Sequence, residues 1–421
     1  MKKNTPISSF SRSKIVVKSV AKIGVKKTVS FTKKAFLSKD EKLKEDEKIN
    51  DEIAELIFKN LSLLKGTAIK ISQALVLHNM LPKKLEKKLS KSFNDVHPIS
   101  QALVMKVLEN EFDKKYNKIF DNFTLKPFAS ASLGQVHLAH IDDKKLAVKI
   151  QYPSIDKTIE NDLKLLSKII KIKKEFVPIL SEIQKRLYEE IDYKKEAQNT
   201  IWAYNNFVNT NVLVPKVYEK YSSKHILTTS YIDAVDLYSW LQTKPSKKIK
   251  TDIANLMFKV FTKSLFELKK MQADPNPANY LIKDDKRLVL IDFGCIKIFD
   301  DAFINNYIKI FKVYNSTNKK TILEAYREFG FIDDISLIDD VLYKNIVDFN
   351  TWGMEPFRND EYIFTKEYLS KGLKYAKMFG NEPFRVVEDF VFLDRTLHGL
   401  FSLFANMNVT IDMRYFNKFI E

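Results

Sequence analysis

Apolar residues recur along this chain with two different periods, and the switches between them outline its parts. Ile53, Leu56, Ile57 and Leu61 repeat at the spacing of one face of a helix. A second helix is predicted to begin at Ile99-Ser-Gln-Ala-Leu-Val, just after Pro98. Short apolar runs bounded by turn residues then predict strands near 124–140 and 145–151. A helical stretch follows from about Ile155 to Phe207. The runs from Val212 to Tyr218 and from Lys224 to Tyr231 read as further strands. Beyond them the pattern is helical, interrupted by a hairpin in which Tyr280-Leu-Ile282 and Arg287-Leu-Val-Leu-Ile291 flank an Asp284-Asp285-Lys286 turn. The expected organisation is a basic arm over 1–45, a helical extension over 46–118, a strand-containing region over 119–231 and a helical region over 232–421. No internal repeat is present.

Composition supports a folded core and removes several classes. The 421 residues are 45% apolar, ample for burial. One cysteine excludes an intramolecular disulfide and a cysteine-based zinc cluster, and fits a reducing compartment. That residue, Cys295, is expected to be small, buried and inert. The six His show no paired ligand spacing, and His137 reads as a structural strand residue. No apolar run reaches the ~20 residues that span a bilayer, and no secretory signal is evident.

The net charge of +17 is uneven. Residues 1–39 hold eleven Lys/Arg and no acid, with Val16, Val20 and Ile23 at helical spacing between lysines. A basic amphipathic helix suits an anionic membrane surface. A solvated tail and a mitochondrial transit peptide are the other readings, although Lys over Arg speaks against the latter. No aromatic-interleaved basic module accompanies the charge, so nucleic acid is not an expected partner.

The most specific chemistry lies between 272 and 294. Asp274 precedes Asn279 by five residues in Gln272-Ala-Asp-Pro-Asn-Pro-Ala-Asn279, and Asp292-Phe293-Gly294 follows thirteen after Asn279. Phosphoryl transfer from ATP uses this set: a base for the acceptor proton, then an Asn and an Asp that hold Mg²⁺ on the phosphates. DFG alone is a weak signal, but its combination with D-x₄-N and an intervening hairpin is strong. Upstream, Ala147-Val148-Lys149-Ile150 places one Lys on an apolar strand, where a cation must be paired. The α- and β-phosphates and a Glu on a following helix would pair it, and Glu189, Glu190 and Glu196 are available. Before that strand, Pro127-Phe-Ala-Ser-Ala-Ser-Leu-Gly-Gln-Val-His137 occupies the place of a phosphate-covering loop with small residues instead of glycines. With nine Gly in the chain, no G-x-G-x-x-G exists.

These motifs resemble the atypical kinase family called ABC1, ADCK, AarF or UbiB. Its Ala-rich loop is matched by Ala129, Ser130, Ala131, Ser132, Leu133, Gly134 and Gln135. Its K-x-G-Q signature is matched by Lys70-Ile71-Ser72-Gln73, with Ser for Gly. Its E-x-D-Y-x-x-E segment appears as Glu190-Ile-Asp192-Tyr-Lys-Lys-Glu196. Its D-P-H-P-G-N loop appears with Asn276 and Ala278 in place of His and Gly. Phe392-Leu-Asp-Arg395-Thr-Leu-His-Gly399 resembles its closing helix.

The resemblance implies an α+β, protein-kinase-like bilobal fold. The N-lobe would be small and β-containing and the C-lobe helical, with residues 232–235 as the hinge over the adenine and the K-x-G-Q-like helices as an N-terminal extension. It implies ATP and Mg²⁺ as cofactors, with Asp274 as base, Asn279 and Asp292 on the metal, and Lys149 on the phosphates. It places Lys70 near the nucleotide facing Glu190 or Asp192, and Glu196 on Lys149. Glu190, Tyr193, Lys194 and Ala197 would share one helix face and Asp192 and Glu196 another, so the acids need not serve one Lys. The function implied is an ATPase or small-molecule kinase supporting isoprenoid-quinone biosynthesis or lipid homeostasis. It would work inside the cell, peripherally on a membrane. A quinone precursor or other lipid-like ligand, an anionic membrane surface and other proteins of quinone biosynthesis are the expected partners. A nucleotide-binding scaffold that transfers no phosphoryl group is the alternative, and a small-alcohol phosphotransferase a more distant one.

Overall fold

The computed structural model describes residues 98–420 except 132, 171–183, 186, 210, 315 and 376–382. The basic arm, the helices expected before residue 98, Lys70 and Ser132 lie outside the described residues. In chain order the elements that matter for the site are helix α1 (Gln101–Phe112), strands β1 (Asn122–Phe123), β2 (Ala129–Ala131), β3 (Gly134–Ile141) and β4 (Lys144–Gln151), and helices α2 (Ile155–Ile170) and α3 (Tyr193–Phe207). Then come β5 (Val212–Leu213), β6 (Ile226–Ser230), β7 (Val235–Asp236), helix α4 (Lys247–Thr262), β8 (Lys270–Gln272), β9 (Tyr280–Ile282), β10 (Leu288–Leu290), β11 (Ile296–Ile298) and helix α5 (Glu388–Met407). The fold is α+β and kinase-like.

Two compact units are formed. The first holds the described residues up to Lys195 together with Val217–Tyr231; the second holds Glu196–Lys216 and Ile232–Glu421.

The first unit is a five-stranded antiparallel sheet in the order β1-β3-β4-β6, with β2 also on β3. Alternation along β4 sends Leu146, Val148 and Ile150 to one face, where all three are fully buried against Val104 and Leu108 of α1. Burial of side chains this size contributes about 1.5–3 kcal/mol each. The period of two then turns Lys149 to the opposite face, beside its cross-strand neighbour Val136. Ser100 caps α1, its hydroxyl accepting from Leu103 N. At the other end Glu111 accepts from the Ser223 hydroxyl at 2.5 Å and bonds the His225 ring at 2.6 Å.

The helical stretch expected from Ile155 to Phe207 is not continuous. It breaks at Ile191–Asp192, and the Asp192 carboxylate accepts from Lys195 N at 3.0 Å as a new first turn begins. Glu190 and Tyr193 therefore do not share a helix, and the shared-face argument for the acids fails there. Asp competes with the backbone for its own amides, and at the start of α3 it wins.

The second unit combines a four-stranded sheet, β5-β10-β9-β7, with the helices that follow it. Ile253, Ala254, Met257, Phe258 and Phe261 make the buried face of α4, and Leu393, Leu397, Leu400 and Phe404 make that of α5. Both faces follow the helical period and meet in one aromatic-rich core.

Candidate active site

In the second unit, two antiparallel ladders carry the D-x₄-N and DFG residues. Strand β8 pairs with β11, Gln272 opposite Ile296, and Ala273 N donates to Cys295 O at 2.9 Å. The β9–β10 hairpin lies between them in sequence, with Leu281 opposite Val289, and Ile291 N donates to Asn279 O at 3.1 Å. Asp274 leaves β8, Asn279 enters β9 and Asp292 follows β10. Side chains separated by thirteen and eighteen residues are thereby ordered by strand pairing.

The local sequence explains the turns. Pro275 and Pro277 cannot extend a ladder. The Asn276 side chain, where the family has His, accepts from Ala278 N at 3.1 Å and caps the short turn Pro277–Asn279. Asn279 is buried, and its amide N–H group points at the Asp274 carbonyl (3.3 Å) and carboxylate (3.4 Å). Burial, with the negative charge of Asp274 adding to it, raises the Tyr280 hydroxyl well above its ordinary value.

Asp292 is exposed and has φ +63°, a left-handed conformation that costs a non-glycine residue about 1–3 kcal/mol. The strain is held in place. The Gln272 amide donates to Ile291 O at 3.1 Å and to Asp292 O, and the Asp292 carboxylate accepts from Gly294 N at 3.2 Å. Phe293 is buried in the core, and its carbonyl accepts from Asn199 of α3 at 3.1 Å. Glu196, one turn earlier on α3, is buried, and a Cβ placed on Gly294 would lie 3.8 Å from its carboxylate. Helix α3 thus braces the DFG turn through Asn199 and brings Glu196 beside it. Cys295 is half-buried rather than buried.

In the first unit, the Ala-rich loop is a hairpin. Ala129 pairs with Val136, Ser130 with Gln135 and Ala131 with Gly134. Ala129 and Ser130 are exposed, while Gly134 is closely packed. A Cβ on Gly134 would sit 2.5 Å from Ile150 O and 2.7 Å from the Tyr193 hydroxyl, so only glycine fits. Gln135 is fully buried, accepting from Ile99 N at 2.8 Å and bonding His137 Nε2 at 2.8 Å. The other ring nitrogen of His137 bonds Thr124 O at 2.9 Å. Burial pulls the His137 pKa down against that bond, so the ring is neutral and structural. The Gln135 side chain faces the core, and any part it has at a ligand runs through the loop it positions. Lys149 is half-buried with its ammonium 4.8 Å from the Tyr193 ring centre, within cation–π range. Glu190 is half-buried and Asp192 exposed.

The ABC1 atypical kinase-like domain matches residues 91–326, more than half of the chain. The chain belongs to the ABC1 family. Relatives within reach include the "Probable serine/threonine-protein kinase abkA" of Dictyostelium discoideum, 27% identical over 87% of this chain and 71% of that one. The "Atypical kinase coq-8, mitochondrial" of Caenorhabditis elegans is 27% identical over 85% of this chain and 49% of its own length. The "Atypical kinase COQ8, mitochondrial" of Saccharomyces cerevisiae is 26% identical, with 86% and 75% covered. Among solved structures, the Mycobacterium tuberculosis protein Rv3197 in its erythromycin complex superposes with a TM-score of 0.64. It covers 91% of this chain and 100% of that one at 22% identity, a likeness of fold alone.

The ABC1 residues Asn279 and Asp292 offer an amide oxygen and a carboxylate, hard donors that suit magnesium. Among the described residues no group of three or more His, Cys, Asp or Glu converges as a metal cage. A magnesium ion shared with phosphates and waters needs only one or two protein ligands, so the donor set fits. Sequence reasoning missed Gln272 and Asn199 as braces of the DFG turn, because their partners lie 20 and 94 residues away. No helix among the described residues is long and apolar enough to cross a membrane.

Proposed function

We propose that this ABC1 protein is an ATP-dependent phosphotransferase or ATPase that supports isoprenoid-quinone biosynthesis or lipid homeostasis at a membrane surface. The observation that carries the reading is the delivery of Asp274, Asn279 and Asp292 by the paired ladders of the second unit. Asp274 acts as base: an acceptor O–H gives it a proton while the oxygen bonds the γ-phosphorus and the bond to the β-phosphate oxygen breaks, releasing ADP. Asn279 and Asp292 hold Mg²⁺, which neutralises phosphate charge when bound. Lys149 and the Ala-rich segment Ala129–Ala131 are assigned the phosphates on their motifs. Lys70, Glu190, Asp192 and Glu196 keep the supporting roles that the family resemblance implies. The mitochondrial names of the COQ8 relatives support an intracellular role. The basic, acid-free arm over residues 1–39 is the feature that extends this role to a peripheral membrane contact and a lipid-like ligand.

The test is a pair of variants. Asp292→Asn should nearly abolish Mg²⁺-dependent ATP binding in calorimetry, since the carboxylate that would hold the metal becomes a neutral amide. Asp274→Asn should keep that binding and lower turnover by about 10²–10⁴, the usual contribution of a general base. Turnover should rise with anionic liposomes carrying a quinone precursor. Unchanged Mg-ATP affinity in Asp292→Asn removes the metal assignment. Undiminished turnover in Asp274→Asn favours a conformational ATP cycle without phosphoryl transfer to an acceptor.

A further inference from the structure

Helix α5 lies along the catalytic loop with one face. Asp389 and Phe392, three apart, both meet Lys297 of β11: the first as an ion pair, the second with its ring centre 5.0 Å from the ammonium. Three residues on, Arg395 Nη2 reaches Asp274 Oδ1 at 3.4 Å, with side chains 17% and 23% exposed. Four further on, a Cβ on Gly399 would lie 2.6 Å from Pro275 Cγ. Spacings of three, three and four put all four residues on one stripe. That stripe contacts the strand after DFG and the two residues that open the D-x₄-N loop. Gly399 costs the helix about 1 kcal/mol relative to Ala, and the close approach to Pro275 accounts for it.

We propose that Arg395 is the positioning residue for the base Asp274, and that Gly399 is the small residue that lets its helix come close enough. The inference rests on Asp274 being the base. The loop Asp274-Pro-Asn-Pro-Ala-Asn279 contains no cation of its own, so the guanidinium comes from 121 residues further along the chain. One Asp274 oxygen faces Arg395 and the other faces the Asn279 amide. A carboxylate held at both oxygens keeps one rotamer, and one holder is the residue assigned to the metal. Both contacts are long, as catalytic contacts without bound substrate often are, and they are expected to shorten when nucleotide binds.

The test is a double-mutant cycle on full-length protein, read as ATP turnover together with Mg-ATP affinity. Arg395→Ala should lower kcat by about 10²-fold, the cost of a misplaced reacting group. The KM and the calorimetric affinity for Mg-ATP should stay within twofold. Arg395→Lys should recover part of the loss, because a cation remains without the planar fork. In the Asp274→Asn background Arg395→Ala should cost almost nothing further, since residues that act as one unit are not additive. An equal loss in both backgrounds, or a loss of Mg-ATP affinity matching the loss of turnover, assigns Arg395 a general structural role and overturns the proposal. If Asp274→Asn alone leaves turnover intact, the base reading fails first, and the cycle shows which of the two has failed. Gly399→Ala gives an independent reading: the added methyl holds the helix, with Arg395 unchanged in sequence, away from Pro275. The kcat should then fall while Mg-ATP affinity stays within twofold, and an unchanged kcat overturns the part assigned to Gly399.

Discussion

The unit with the Ala-rich loop and the unit with the D-x₄-N and DFG motifs carry motifs of similar length, yet use them differently. In the first unit the small and polar residues of the motif and its strand are committed inward: Gly134 to a close strand approach, Gln135 and His137 to a buried chain of hydrogen bonds. On the facing strand Ala129 and Ser130 are exposed. In the second unit the buried part is the scaffold, Phe293 and Asn199 with the half-buried Gln272 beside them, and the motif acids Asp274 and Asp292 remain more accessible. A motif can thus mark a ligand contact or the packing that shapes the contact, and burial separates the two. The strain is distributed to match. At the DFG turn the left-handed residue is the exposed Asp292, while at the Ala-rich loop the close approach falls on a glycine that admits no side chain.

The sharpest break of this comparison is Gly134→Val. The new side chain would enter the space of Ile150 O, a backbone atom of the central strand, and of the Tyr193 hydroxyl. Overpacking of this kind costs about 1–3 kcal/mol or more. The melting temperature should fall steeply, with nucleotide binding lost along with the fold. Ala131→Gly, on the half-buried residue paired with Gly134, should leave melting unchanged and alter only the ratio of ATP to ADP affinity. A Gly134→Ala protein that melts normally but no longer binds nucleotide would return Gly134 to the list of direct ligand contacts.

Gln135→Ala is the next step down. It leaves Ile99 N and His137 Nε2 without their buried partner. Each such orphan costs about 1–3 kcal/mol. Stability should drop, measured by urea denaturation, while the Mg-ATP dissociation constant under folding conditions stays put. A loss of affinity without a loss of stability would place the Gln135 amide at the nucleotide after all.

Local spacing made much of this legible. The β9–β10 hairpin, its Asp284-Asp285-Lys286 turn and the D-x₄-N to DFG interval lie within twenty residues, and strand period and turn chemistry suffice for them. The strand position of Lys149 was equally readable, since alternation decides which face it takes. Long-range partners were not. Gln135 looked like a loop residue because Ile99, 36 positions earlier, leaves no mark beside it. Arg395 could be matched to a helix but not to Asp274, because no periodicity links residues on separate elements. The break at Asp192 was hidden by good helix formers on both sides, and only the capping bond reveals it. Lys70 lies outside the described residues, so its role stays with the proposal.

The smallest effect tests whether the first unit's inward commitment extends to its charges. Glu111 closes α1 onto the segment before β6 by accepting from Ser223 and His225. Burial alone raises its pKa, but these two partners more than offset that and hold the carboxyl below its ordinary value. A group whose folded value is depressed contributes stability that is fully present above its unfolded value, near 4.5, and lost as pH falls through the folded value. Glu111→Gln should therefore destabilise the protein at pH 7, by about 1 kcal/mol since His225 is partly exposed and Gln can still accept one bond. The gap between variant and wild type should shrink steadily below pH 4.5 as the wild-type carboxylate protonates. Melting curves of both proteins across this range check it. A gap that stays constant with pH would mean that Glu111 acts through shape alone, and that the first unit is held by packing and neutral hydrogen bonds.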